Sequence, residues 1–89
     1  MSILTWSKDN VKAWLKGEEF EEHAGHLAKL NGKKLAAAKQ ESFRQKFGDD
    51  PLGQASDLFQ AVKLVLLKQR RSGNLSEADF IDYMDTRGK

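Results

Sequence analysis

An all-helical fold is predicted for this 89-residue chain by two observations. Apolar residues recur at spacings of three and four from Val11 to Met84, the period of a helix with one buried face. Nowhere do β-branched residues alternate in the period of two that a half-buried strand needs, and the single proline leaves the helical stretches uninterrupted.

Ser7 is placed to cap a first helix, its hydroxyl accepting from backbone N–H groups of the first turn. That helix turns Val11, Trp14 and Leu15 inward and ends near Gly17. A second helix is predicted to begin within residues 18–20, where acids suit the positive end of the helix dipole, and to bury Phe20, Ala24 and Leu27. Asn31-Gly32 reads as a stop and restart, followed by a short element over 33–38 with Leu35 inward. Phe43 and Phe47 lie four apart on a fourth helix that Gly48 closes. Asp50 as cap and Pro51 in the first turn announce the long fifth helix, whose stripe is Leu52, Ala55, Leu58, Phe59, Val62, Val65 and Leu66. Residues 70–74 break the pattern. Ser76 and Asp79 then resemble a capping box for a sixth helix carrying Phe80, Ile81 and Met84, and residues 86–89 read as a frayed tail.

A chain of this length builds one modest core. Residues 1–70 are expected to form the helical bundle, with 71–89 as a helical extension and tail of the same domain. No cysteine is present, so neither a disulfide nor a thiolate zinc site supplements the packing. The longest apolar run, residues 62–67, contains Lys63 and falls far short of the roughly 20 residues that span a bilayer. With no signal-peptide pattern at its start, the chain is expected to be cytoplasmic. The formal net charge is only +2. Its distribution is uneven, because Glu18, Glu19, Glu21 and Glu22 crowd together while Lys29, Lys33, Lys34, Lys39, Arg44 and Lys46 follow against Glu41 alone.

The landmarks Trp6, Val11-Lys12-Ala13-Trp14-Leu15, Asn31-Gly32-Lys33-Lys34-Leu35, Phe43, Phe47-Gly48 and Leu52-Gly53 occur in an order that resembles a sterile alpha motif, or SAM, domain. The resemblance covers residues 5–68 and implies a five-helix bundle with a long fifth helix, to which this chain adds a C-terminal helix. Ala36, Ala37 and Ala38 depart from the family's larger apolar residues and imply a looser middle or a shifted helix.

By resemblance the expected function is protein–protein interaction in a signalling or scaffold protein, as hetero- or homo-oligomerisation through two surfaces. Gly53, Gln54 and Asp57, with Lys46 near them, correspond to the family's end-helix face, and Glu18, Glu19, Glu21 and Glu22 are candidates for its acidic mid-loop face. The partner implied is another protein domain, such as a second SAM domain, with weak self-association in second place because Asp49, Asp50 and Asp57 surround the helix start with negative charge. As a solvated, dipole-matched first turn the glutamates need no partner at all.

The alternative is an RNA-binding SAM domain using a basic surface patch. Relatives of that kind carry basic residues after Leu-Gly, where this chain has Gln54, Ala55, Ser56 and Asp57, although Lys33, Lys34, Lys39, Arg44 and Lys46 could form a different patch. His23 and His26, three apart, offer at most one edge of a metal site with Glu19 or Glu22. Placing Gly73 at the central glycine of a calcium loop puts Lys68 and Arg70 at ligand positions, which excludes calcium. Hydroxyls at caps and acids on outer faces supply no nucleophile and base in a cleft, so no catalysis, cofactor or metal is expected.

Overall fold

The computed structural model describes residues 2–25, 27–48 and 53–87, and within them the backbone is helical or turning, with no strand. Among these residues five α-helices follow one another: α1 (Lys8–Gly17), α2 (Gly32–Ala37), α3 (Gln40–Phe47), α4 (Gln54–Ser72) and α5 (Glu77–Arg87). Two 3-10 turns, Ile3–Thr5 and Glu21–His23, complete the order. With the second turn occupying the place of a second helix, α4 is the long fifth helical segment and α5 the additional C-terminal one.

The start of α1 follows from a reciprocal capping box. Ser7 Oγ accepts from Asn10 N–H at 3.1 Å, and Asn10 Oδ1 accepts from Ser7 N–H at 3.0 Å. The helix ends at Gly17 as expected, and the chain turns just beyond, at Glu19. Glu19 takes the left-handed conformation at φ 67°, so that Phe20 N–H reaches back to Leu15 C=O at 2.8 Å and Glu19 N–H to Lys16 C=O at 3.3 Å. This is a Schellman motif, with Phe20 and Leu15 as its apolar pair.

The predicted second helix is a correction. Beyond the Glu21–His23 turn the chain advances by three-residue turns: Ala24 N–H bonds Glu21 C=O, Leu27 N–H bonds Ala24 C=O, and Leu30 N–H bonds Leu27 C=O. Phe20, at the cap position, has no side-chain acceptor for the first turn, and Gly25 lowers helix stability further. The burial pattern survives nonetheless, since Leu27 is fully buried and Phe20 and Ala24 pack partly against the core.

Asn31 caps α2 through its Oδ1, which accepts from Lys34 N–H at 2.9 Å. Gly32 opens the helix where it meets the backbone of the N-terminal turn: its N–H bonds Trp6 C=O at 2.9 Å, and a Cβ there would stand 1.8 Å from Ile3 C=O oxygen. The turn itself is held in place by the burial of Ile3, whose N–H bonds Gln69 Oε1 of α4 at 2.7 Å. Of the three alanines that follow, Ala37 is exposed and Ala38 half-buried. Ala36 is fully buried beside Leu35, and α2 packs against α1, α4, α5 and the N-terminal turn.

Phe43 and Phe47 stack along α3 with centroids 6.5 Å apart. The α4 stripe buries Ala55, Leu58, Val62 and Leu66, with Phe59 and Val65 at its margins; each buried leucine contributes on the order of 2 kcal/mol. Leu52 and the Asp49-Asp50-Pro51 start signal lie outside the described residues. After a left-handed turn at Gly73, Leu75 drops into the core and Ser76 Oγ accepts from Asp79 N–H at 3.2 Å, the forward half of the anticipated capping box. On α5 the inward residues are Phe80, Tyr83 and Met84, whereas Ile81 is 55% exposed. The helix runs to Arg87, so Thr86 continues it rather than fraying.

Candidate interaction surface

Glu18, Glu19, Glu21 and Glu22 are all exposed around the end of α1 and the turn after it. The acids are adjacent in sequence, and the Schellman turn at Glu19 lies in their midst. Lys16 Nζ lies 3.7 Å from Glu21 Oε1, and a shallow cleft of about 530 Å³ is lined by Lys16, Glu19, Glu21 and Glu22. At 68% exposure on both sides, that ion pair contributes well under about 1 kcal/mol.

The start of α4 forms the neighbouring part. Gly53 holds φ 68°, a left-handed entry that favours glycine, and supplies no side-chain cap. Gln54 is half-buried and Asp57 exposed in the first turn, where the helix dipole suits a carboxylate. Gln54 Nε2 donates to Glu22 Oε1 at 2.8 Å across 32 residues of sequence, so the acidic turn and the α4 start meet in one continuous surface. Lys46 is exposed in the last turn of α3, which packs along α4.

The basic residues are distributed less coherently. Lys29, Lys33, Lys34, Lys39, Arg44 and Lys46 are exposed. Arg44 pairs with Glu41 at 3.8 Å, and Lys33 shares a groove of about 440 Å³ with Leu4, Asp79, Asp82 and Tyr83. Carboxylates therefore stand beside two of the five cations proposed for a phosphate-binding patch. The His23 side chain and His26 lie outside the described residues, and among the described ones no cluster of three or more His, Cys, Asp or Glu is arranged to hold a metal.

Sequence reasoning missed a third surface. Trp6 and Trp14, with ring centroids 6.0 Å apart, line a groove of about 430 Å³ with Leu64, Val65 and neighbouring residues of α4. Its signal was Leu64, an apolar residue on α4 that falls off the buried stripe and is 65% exposed.

A small helical bundle distinguished by charged and apolar surface features has the build of an interaction module. A family model described as "SAM domain (Sterile alpha motif)" matches residues 4–51, more than half of the chain, and the chain belongs to that family. Domains of this family generally act as protein-interaction modules and typically not as enzymes. The match ends before α4, leaving α4 and α5 beyond it. Comparison with curated proteins and with solved structures returns no match. Among the described residues, no helix is long and apolar enough to cross a membrane.

Proposed function

We propose that this chain serves a cytoplasmic signalling or scaffold protein by binding another protein domain, with hetero-association ahead of self-association. The binding surface is the acidic turn of Glu18, Glu19, Glu21 and Glu22 together with Gly53, Gln54 and Asp57 at the start of α4, flanked by Lys46. One observation carries this reading: the 2.8 Å bond from Gln54 to Glu22 joins the two parts into a single patch, instead of leaving them as separate poles.

That junction also bears on the choice of partner. A second copy bringing its own glutamates to the α4 start would meet Glu22 and Asp57 there, and like charge opposes the approach. A partner presenting lysines or arginines is complementary to the same surface. RNA ranks lower, since a phosphate backbone would meet those carboxylates as well. Residues 71–89 belong to the same domain on this reading, supported by the 2% exposure of Leu75 and by the packing of α5 on α2 and α4.

The test begins with capture of the partner on the immobilised chain and continues with calorimetric titration of the purified pair. Glu19→Lys with Glu22→Lys is expected to weaken binding of a basic partner roughly tenfold or more, whereas Gln54→Glu with Lys46→Glu, which makes the same surface more acidic, is expected to strengthen it. Unchanged affinity in both variants defeats the assignment, and tight binding of an RNA hairpin without any protein partner transfers the function to the basic residues.

A further inference from the structure

Between Asp57 and Glu77 the chain carries no acid, while Lys63, Lys68, Arg70 and Arg71 all fall in that stretch, on α4. The helix period sorts its residues. Leu58, Val62 and Leu66 face the core, and half a turn away Gln60, Leu64, Leu67 and Arg71 form the opposite row, with Lys63 and Lys68 on either side of it. Leu64 is 65% exposed and Leu67 half-buried, and neither belongs to the apolar side chains packed against the core. Arg70 lies 4.0 Å from Glu77, whereas among the described residues no carboxylate pairs with Lys63, Lys68 or Arg71. We infer that this outer face of α4 is a peripheral docking surface for an anionic phospholipid bilayer.

Charge and apolarity together select that occupant. Anionic headgroups complement the three unpaired cations, each of which strengthens adsorption about fivefold when it reaches the surface. The leucines gain only where an acyl layer lies just beneath that charge. Lys63 and Lys68 have stems long enough to keep their ammonium groups among the headgroups while Leu64 enters. Trp6 and Trp14 are half-buried in the groove beside Leu64, and amphipathic rings of this kind settle at a bilayer interface. Glu18 is the one carboxylate lining that groove, so the cations of the face outnumber it. RNA would use the cations and leave the leucines in water. An acidic protein would need a preformed recess for the protruding Leu64, which fluid acyl chains supply anywhere. Since no described helix is long and apolar enough to cross the bilayer, the contact lies on its surface.

Co-sedimentation of the whole chain with vesicles at low ionic strength tests the inference. The wild type is expected to pellet with vesicles of phosphatidylserine and phosphatidylcholine in equal parts, with the fluorescence of Trp6 and Trp14 shifted to the blue, and not with phosphatidylcholine alone. Lys63→Gln with Lys68→Gln should weaken association roughly twentyfold or more, and Leu64→Gln roughly tenfold. Circular dichroism should show both variants folded, since none of these side chains is in the core. Lys33→Gln with Lys34→Gln removes the same charge from exposed positions on α2 and should change association by less than about twofold. No binding to the phosphatidylserine vesicles, equal binding to phosphatidylcholine, wild-type association of Leu64→Gln, or an α2 variant as weak as the α4 variant overturns the inference. So does an RNA hairpin or polyglutamate that binds the wild type but not the Lys63 and Lys68 variant, when vesicles do not bind.

Discussion

Replacing Gly32 by alanine adds one methyl group at the tightest backbone approach among the described glycines. Its Cβ would stand 1.8 Å from the Ile3 carbonyl oxygen, 2.6 Å from Trp6 Cβ and 3.0 Å from the Ile3 carbonyl carbon. Relief requires α2 and the N-terminal turn to part by more than about an ångström, since real Cβ contacts shorter than 3.0 Å essentially do not occur. Neither element moves freely, because Ile3 is fully buried and its N–H is held by Gln69 of α4. Overpacking of this kind costs about 1–3 kcal/mol. Separation also weakens the Gly32–Trp6 and Ile3–Gln69 hydrogen bonds, at about 1 kcal/mol each. The better helix propensity of alanine returns only about 0.5–1 kcal/mol. A net loss of about 2–4 kcal/mol follows, a large share of the stability of so small a domain. Urea titration followed by the fluorescence of Trp6 and Trp14, with circular dichroism alongside, should place the midpoint lower by about 2 M or more, for a slope near 1 kcal/mol/M. Gly17→Ala is the control, since nothing lies within 4 Å of its added Cβ, and it should be neutral or slightly stabilising. A Gly32→Ala midpoint indistinguishable from that of Gly17→Ala would refute the close-approach argument.

Three further outcomes follow from the same geometry. Glu19→Gly should stabilise the fold by about 0.5–1 kcal/mol, because a left-handed residue with a side chain is strained where glycine is not; a loss of stability on denaturation would show that the glutamate side chain matters more than its φ of 67°. Leu75→Ala should cost about 2–4 kcal/mol by opening a cavity under the loop between α4 and α5, and a loss below about 1 kcal/mol by urea titration would mean that this loop is not anchored in the core. Ser7→Ala removes one arm of the capping box and should cost about 1 kcal/mol, detectable as a lower thermal midpoint; no shift would mean that solvent caps α1 equally well.

The regular helices were legible because their causes are local. Ser7 with Asn10, Asn31 with Lys34, and the stripe from Ala55 to Leu66 each act within a few residues, so spacing and residue type suffice to read them. Where a distant contact decides the conformation, the same signals mislead. Phe20, Ala24 and Leu27 have helical spacing and turn toward the core as expected, yet they do so along a chain of tight turns. Burial selected those apolar positions without requiring an α-helix between them. Ile3 carries no local signal of its burial: its place depends on Gln69, sixty-six residues away, and on a glycine small enough to let α2 approach.

The candidate surface divides along the same line. Four glutamates in five positions are visible as charge in any reading of the sequence, and Gln54 is visible as a polar residue at a helix start. That Glu22 and Gln54 meet is invisible, because the placement of the acidic turn depends on the left-handed Glu19, the buried Leu27 and the pressed contact at Gly32. A local substitution at one of these points should therefore act on binding from a distance. Gly32→Ala, which touches neither Glu22 nor Gln54, displaces the element that ends the turn segment, so in molecules that remain folded it should weaken partner binding along with stability. The two effects separate at low temperature and without denaturant, where the variant is folded by circular dichroism. Wild-type affinity under those conditions would mean that the acidic turn holds its position independently of α2.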